Sequence, residues 1–394
     1  MHLSLISFVR QITPATLATA FVAFIFTTTA PFALITAAAT KGGLGEAQIA
    51  SWVFGGFFIN GFITIAFSLI YRQPLVFLWT MPGTVLVGQA LTHLSMPQII
   101  SAFIASAILI LVLGLSGMVR RVMEAIPTPV VMGMVAGVFL QFSIDWIKAF
   151  ETEFWIVAPM TAVYFALLLA PAIARLIPPL IAALVVGTAI AVGTGSGNDV
   201  GPISLSIAPP TLTMPVFSLP AIIELTLPVA ITVLVVQNGQ GIGVITHAGH
   251  KPPINNITTA CGVSSLITST MGAVTSCLAG PVSAILVTGE TRERQYVSAV
   301  LLGAMCIVFG LMGPLMTRLA LSAPHALIAT LAGLAMLKIL ESAFAAAFSG
   351  RHTYSALITL VVTLSGISIA NIGAPFWGIV AGYLAARVLE QRER

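Results

Sequence analysis

Apolar runs close to the ~20 residues that cross a bilayer recur along the whole chain, and no polar segment between them is longer than a loop. Inside a membrane every backbone N–H and C=O needs a partner within the protein, so such a chain folds as helices or as a closed barrel. Runs this long read as helices. Two of them are broken in mid-span by a proline–glycine pair. The first runs from Leu75 to Thr80, meets Met81-Pro82-Gly83 and resumes at Thr84. The second runs from Ala273 to Leu278, meets Ala279-Gly280-Pro281 and resumes at Val282. Broken backbone at membrane depth is tolerated where protein buries it or where it lines a cavity. Interrupted spans in corresponding halves of a chain point to a transporter's binding site.

The chain reads as an all-α polytopic membrane protein of 14 transmembrane segments. The expected cores are 14–38, 46–70, 75–93 (broken), 97–119, 127–147, 154–174 and 177–194, then 218–240, 254–271, 273–288 (broken), 297–318, 323–341, 353–371 and 373–388. A linker rich in Ser, Pro, Gly and Thr, 196–217, separates two sets of seven. An odd number per half sends the second half in from the other side, which makes the halves inverted repeats. With the N-terminus in the cytoplasm, Arg10, Arg72, Arg120, Arg121, Arg175, Lys251, Arg292, Arg294, Lys338, Arg351, Arg387, Arg392 and Arg394 lie inside, and Lys41, Lys148 and Arg318 outside. That asymmetry fits the positive-inside rule and predicts that both termini are cytoplasmic. No small-residue cleavage site follows the first apolar run, so it reads as a span rather than a leader.

Composition agrees: 58% of the 394 residues are hydrophobic and 7% charged, against roughly a quarter charged in soluble domains. The pI near 9.2 arises from the loop lysines and arginines, so no nucleic-acid partner is expected. Cys261, Cys277 and Cys306 lie in apolar segments without metal-ligand or disulfide spacing and read as buried small residues.

The breaks carry the chemistry. A half-helix starting at mid-membrane presents unpaired N–H groups and the positive end of its dipole. Here the donors would be Gly83, Thr84, Val282 and Ser283, converging on one carboxylate. Each dipole end contributes ~0.3–2 kcal/mol, far less than dehydrating a carboxylate costs, so further donors are needed. Gln237, Asn238 and Gln240 are the expected supply, faced by Thr27, Thr28 and Thr29 ahead of Pro31, which should kink its helix. Phe32, Phe57, Phe58 or Trp79 would cover an aromatic body. Plainer readings stand beside these: a simple kink at each break, Gln and Asn as packing glue, threonines bonded to their own helix. Asn60, Gln89 and Asn371 read as structural. Gly239, Gly241 and Gly243 imitate a nucleotide-binding pattern without the strand–helix–strand context it needs.

Coupling is less legible. Glu224, Glu341 and Asp145 read as interfacial, and an amide such as Gln237 cannot carry a proton. Either the substrate brings its own proton or His93, Glu224 or Asp145 titrates. His247 and His250 read as solvated loop residues beside Lys251, and no metal or cofactor is expected. No paired acids, His/Cys cluster or nucleophile–base arrangement lies at membrane depth, which argues against an enzyme.

Tyr71-Arg72-Gln73-Pro74 leading into Trp79-Thr80-Met81-Pro82-Gly83, the run Gln237-Asn238-Gly239-Gln240-Gly241, and Phe376-Trp377-Gly378-Ile379-Val380-Ala381-Gly382 together resemble the benzoate/proton symporter family, BenE. The resemblance spans nearly the whole chain. It implies the fold of nucleobase and anion transporters, with a core domain (14–121 and 218–320), a gate domain (122–195 and 321–390) and short β-strands before half-helices 3 and 10. It further implies import of benzoate or a similar aromatic monocarboxylate with protons across a bacterial inner membrane, and, by analogy, a homodimer. A nucleobase/proton symporter or an anion channel of the same fold is the alternative. A nucleobase presents N–H donors that want a carboxylate acceptor, and the amide of Gln237 stands near where nucleobase carriers place a glutamate.

Overall fold

The computed structural model describes residues 11–174, 177–197, 210–288, 291–370 and 372–390. Arg10, Arg175, Asn371, Arg392, Arg394 and residues 198–209 of the linker lie outside the described residues. Helix α1 (Pro14–Lys41) opens on a reciprocal cap between Thr13 and Thr16 with Pro14 at its first position, and it continues through Pro31 as one element. Helix α2 (Glu46–Tyr71) is wound as a π-helix over Gly55–Ile59 and ends at Arg72, whose φ of 51° is left-handed. Strand β1 (Phe77–Trp79) then leads into α3 (Met81–Ala90). Helix α4 (Met96–Ser116) closes at Gly117, where a φ of 71° favours glycine. The first half finishes with α5 (Val119–Ala125), α6 (Thr128–Thr152), α7 (Phe154–Leu169), α8 (Pro171–Ala174) and α9 (Pro179–Thr194).

The second half begins with α10 (Leu219–His247), a π-helix over Thr232–Asn238, then α11 (Ile254–Ser269). Strand β2 (Ser276–Leu278) leads into α12 (Gly280–Leu286), followed by α13 (Gln295–Leu311), α14 (Gly313–Ser322), α15 (His325–Ala347) and α16 (Thr353–Leu364). A ribbon of β3 (Ser368–Ile369) and β4 (Ile372–Gly373) precedes α17 (Ala374–Val388). By length and composition, 6 described helices can cross a membrane, or 7 if α13 and α14 form one bent span. Helices α7, α9 and α16 are apolar but shorter.

Two expectations change. The run 297–318 is no straight span, because α13 and α14 meet at 71°. Pro314 follows Gly313 there and has no N–H to give the Gly310 carbonyl. The run 353–371 is helical only to Leu364, after which Gly366 takes a φ of 65° and the β3–β4 ribbon forms.

Packing falls into two groups. Helix α4 lies on α10 and α11, α13 on α1 and α2, and α14 on α2. Helix α6 lies on α15, α16 and α17, and α7 on α9 and α15. Small residues allow the close approaches: a Cβ on Gly61 of α2 would fall 2.7 Å from the Gly303 carbonyl of α13.

Candidate functional site

The two breaks meet. Strands β1 and β2 pair antiparallel, with Phe77 opposite Leu278, Leu78 opposite Cys277 and Trp79 opposite Ser276. Every residue of both strands is buried. A two-stranded ribbon has two open edges, and at membrane depth those groups need partners. Side chains of neighbouring helices supply them. Thr64 Oγ1 accepts the Phe77 N–H at 2.9 Å and donates to its carbonyl at 3.2 Å, while Ser68 Oγ donates to the Leu75 carbonyl. On the other edge Ser265 Oγ accepts the Ser276 N–H at 2.9 Å, and Asn238 Oδ1 accepts the Leu278 N–H at 2.8 Å.

Pro82 and Pro281 occupy the first turns of α3 and α12, so both segments are broken helices and not kinked ones. Thr80 caps α3: its Oγ1 accepts the Gly83 N–H at 3.2 Å and donates to Thr232 Oγ1 of the α10 π-helix at 2.9 Å. This changes the donor set. The Thr84 N–H goes to the Thr80 carbonyl, the Ser283 N–H to the Ala279 carbonyl, and Thr84 Oγ1 donates to the Thr80 carbonyl. Gly83, Thr84 and Ser283 therefore offer no free amide. The Val282 N–H has no acceptor among the described residues. Ser283 Oγ, Thr275 Oγ1 and Trp79 Nε1 are also buried without a partner among them. Since α12 has only 7 residues, free donors rather than an accumulated dipole are what it can bring to an anion.

The π-helix of α10 separates the two amides. Gln237 is buried, 2% exposed, and hydrogen-bonds to none of the described residues. Asn238 Oδ1 is committed to the Leu278 N–H, and Nδ2 lies 3.8 Å from the Cys261 Sγ. It holds the β2 edge. Gln240 is exposed and lies against Gly280, where an added Cβ would fall 2.8 Å from its Cβ and Oε1. Thr27, Thr28 and Thr29 donate to the carbonyls of Ala23, Phe24 and Ile25 in their own helix, the plainer of the two readings. Phe57 and Trp79 are buried with ring centroids 4.8 Å apart, in a cluster extended by Phe309 and half-buried Phe32. Phe58 instead stacks on Phe54 beside exposed Phe62.

A cavity of about 640 Å³ lies between α1, α7, α9 and α15. Val22, Phe26, Thr29, Tyr164 and Lys338 line it, and it reaches the half-helices through Ile285 of α12. Gln237 does not line it. One further reading is corrected and one is extended. Glu224, read as interfacial, is buried within the protein at 5% exposed, and its Oε2 lies 2.9 Å from His93 Nε2. His250 is not a solvated loop residue but buried, 2.8 Å from Gln295 Oε1. Thr64, Ser68, Thr80, Thr232 and Ser265 were missed, though a hydroxyl in an apolar run flanking a break is the signal that marks them.

The family profile described as "Benzoate membrane transport protein", BenE, matches residues 10–388. The chain belongs to the BenE family. It is a membrane transporter, not an enzyme. A BenE chain of Acinetobacter baylyi named "Benzoate membrane transport protein" is 28% identical over 380 residues, covering 94% of this chain and 93% of that one. The "Inner membrane protein YdcO" of Escherichia coli is 29% identical over 394 residues, covering 98% and 99%. In fold the chain is similar to the transmembrane domain of the cyanobacterial bicarbonate transporter BicA, at a TM-score of 0.58 and 16% identity over 94% of this chain and 98% of that one. It is also similar to SLC26A9, at a TM-score of 0.63 and 15% identity over 97% of this chain and 67% of that one. These likenesses make the protein a multi-pass bacterial inner-membrane transporter with the fold of anion transporters.

Proposed function

We propose that this BenE protein imports benzoate or a similar aromatic monocarboxylate together with protons, by alternating access of one central site. The observation that carries the reading is the set of buried polar groups around the β1–β2 crossing with no partner among the described residues: the Gln237 amide, the Val282 N–H and the hydroxyls of Ser283 and Thr275. Buried polar groups are nearly always partnered, so several orphans around one crossing are explained by a ligand that supplies the missing acceptor. A carboxylate is acceptor-only and suits donors of this kind. The aromatic body packs toward Phe32 and Phe309. Gly83 and Thr84 shape the wall through the Thr80 cap, Gln240 stands at the α12 entrance, and Asn238 and Thr28 act through the elements they brace.

The names of the family and of the Acinetobacter relative support the substrate class. The order of elements supports 14 segments in two inverted repeats, and the two packing groups support a core domain (14–121, 218–320) moving against a gate domain (122–195, 321–390). The cavity, lined at one end of α15 by Lys338 and Glu341, serves in this reading as the path from the cytoplasmic side, to which the positive-inside asymmetry also assigns both termini. Uptake of labelled benzoate into proteoliposomes, with an inward proton gradient imposed or collapsed, tests this. Accumulation that vanishes with the gradient is expected. Flux of uracil or of an inorganic anion in place of benzoate would overturn the substrate class.

A further inference from the structure

Among the described residues Glu224 is the one acidic side chain that is buried. It sits early in α10, with Oε2 2.9 Å from Nε2 of His93, which follows α3 and is 26% exposed. Its other oxygen lies against Gly373, where a Cβ would fall 2.6 Å from Oε1. Gly373 caps α17. The carboxylate is therefore clamped between an imidazole on the α3 side and the start of a helix from the other packing group. A carboxylate buried in this way is costly unless it is paired.

The pair stands apart from other charges. Helices α3, α4 and α12 and strands β2 and β4, which pack on α10, carry no acidic, basic or imidazole side chain. Helix α17 brings Tyr383 and Arg387, about 15–20 Å further along at 1.5 Å per residue. Helix α5 brings Arg120 and Arg121 beside the far, Asn238 end of α10. Helix α6 brings Asp145, occupied by Lys41 at 3.7 Å, and exposed Lys148 and Glu151. Gly42 approaches Leu91 and Gly88 approaches Ala38, so the end of α3 lies at the Lys41 end of α1. The cavity instead abuts the earlier stretch of α1, Val22 to Thr29.

We infer that His93 and Glu224 form a proton-binding site that latches the α10–α17 seam at the end of the protein away from the cavity, and that a proton arriving there releases the latch. This rests on the alternating-access reading. With the imidazole neutral, the pair carries the single negative charge of the carboxylate, which faces the first turn of α17. A proton taken from bulk water through exposed His93 makes the pair imidazolium and carboxylate, neutral overall, and the net negative charge that held α17 is cancelled. The site gates the seam and leaves the carboxylate-binding groups untouched. Histidine is the side chain suited to such a switch near neutral pH.

Hydrogen exchange of the amides in β4 and the first turns of α17 tests this in the full-length protein without substrate. After correction for intrinsic rates, wild-type exchange should rise as the buffer goes from mildly alkaline to mildly acidic, by at most about tenfold per pH unit for one proton. Glu224→Gln should exchange fast at every pH, and His93→Gln, which keeps a donor to the carboxylate, should flatten the profile. If Glu224→Gln fails to fold, His93→Gln decides the matter. A flat wild-type profile, or a wild-type slope in His93→Gln, would overturn the latch. Absence of benzoate flux from wild-type proteoliposomes would overturn the transport reading instead, while the exchange profile still judges the latch.

Discussion

Asn238 Oδ1 accepts the Leu278 N–H at 2.8 Å, while the adjacent Gln237 amide meets no partner among the described residues. The π-helix over Thr232–Asn238 turns two consecutive amides toward different tasks. One completes a strand edge and the other has no partner among the described residues.

Substituting Asn238 should therefore act on stability before affinity. Asn238→Ala leaves the Leu278 N–H buried without an acceptor, at a cost of about 1–3 kcal/mol. Thermal unfolding in detergent should show a lowered transition. An unchanged transition with lost binding would return Asn238 to the site.

Gln237→Ala removes one hydrogen bond to a charged ligand, worth about 1.5–3 kcal/mol, and should weaken benzoate affinity roughly 10- to 150-fold with the unfolding transition unchanged. Gln237→Glu sets a carboxylate against a carboxylate and should weaken it further. Initial uptake rates across a concentration series check both.

Gly83→Ala places a Cβ 2.3 Å from Thr80 Cγ2, and Gly280→Ala places one 2.8 Å from Gln240 Cβ. Displacing the Thr80 cap disturbs its bond to Thr232, so Gly83→Ala should cost about 1–3 kcal/mol of stability. Gly280→Ala meets Gln240 Cβ, which is fixed to the α10 backbone, so it should both cost stability and, with α12 displaced, slow uptake. Comparing unfolding temperature with uptake rate for each variant separates the two.

Glu390 follows α17 and is 16% exposed. Burial raises its pKa, but hydrogen bonds from Ser355, His352 and the Tyr354 N–H outweigh that and hold the carboxyl below its ordinary value. A depressed folded-state pKa gives stability that is present above the unfolded value and lost as pH falls through the folded one. Acid should loosen the clasp between the end of α17 and the start of α16. Glu390→Gln should remove that acid-dependent part of an unfolding titration.

Much of this fold was legible in the sequence because the membrane allows few solutions. Most apolar runs matched helices, 297–318 and 353–371 being the exceptions, and Pro82-Gly83 and Gly280-Pro281 marked the breaks. The β1–β2 pairing lay beyond periodicity, since three apolar residues look the same in a strand as in a buried helix. The bend at Gly313-Pro314 has its cause in that dipeptide, but its angle of 71° is not a property that an apolar run displays. The role of Asn238 was hidden, since neither residue type nor spacing tells which of two neighbouring amides a π-helix turns inward. The His93–Glu224 pair joins residues 131 positions apart, a contact that one sequence without tertiary structure does not contain.

Equilibrium binding of labelled benzoate to the purified protein, wild type against Gln237→Ala, tests the central claim most directly. Saturable binding in the wild type, weakened at least about tenfold in a variant that unfolds at the same temperature, is the predicted result. Equal affinity in the two proteins would contradict the claim that the β1–β2 crossing, with Gln237 beside it, is where the substrate is held.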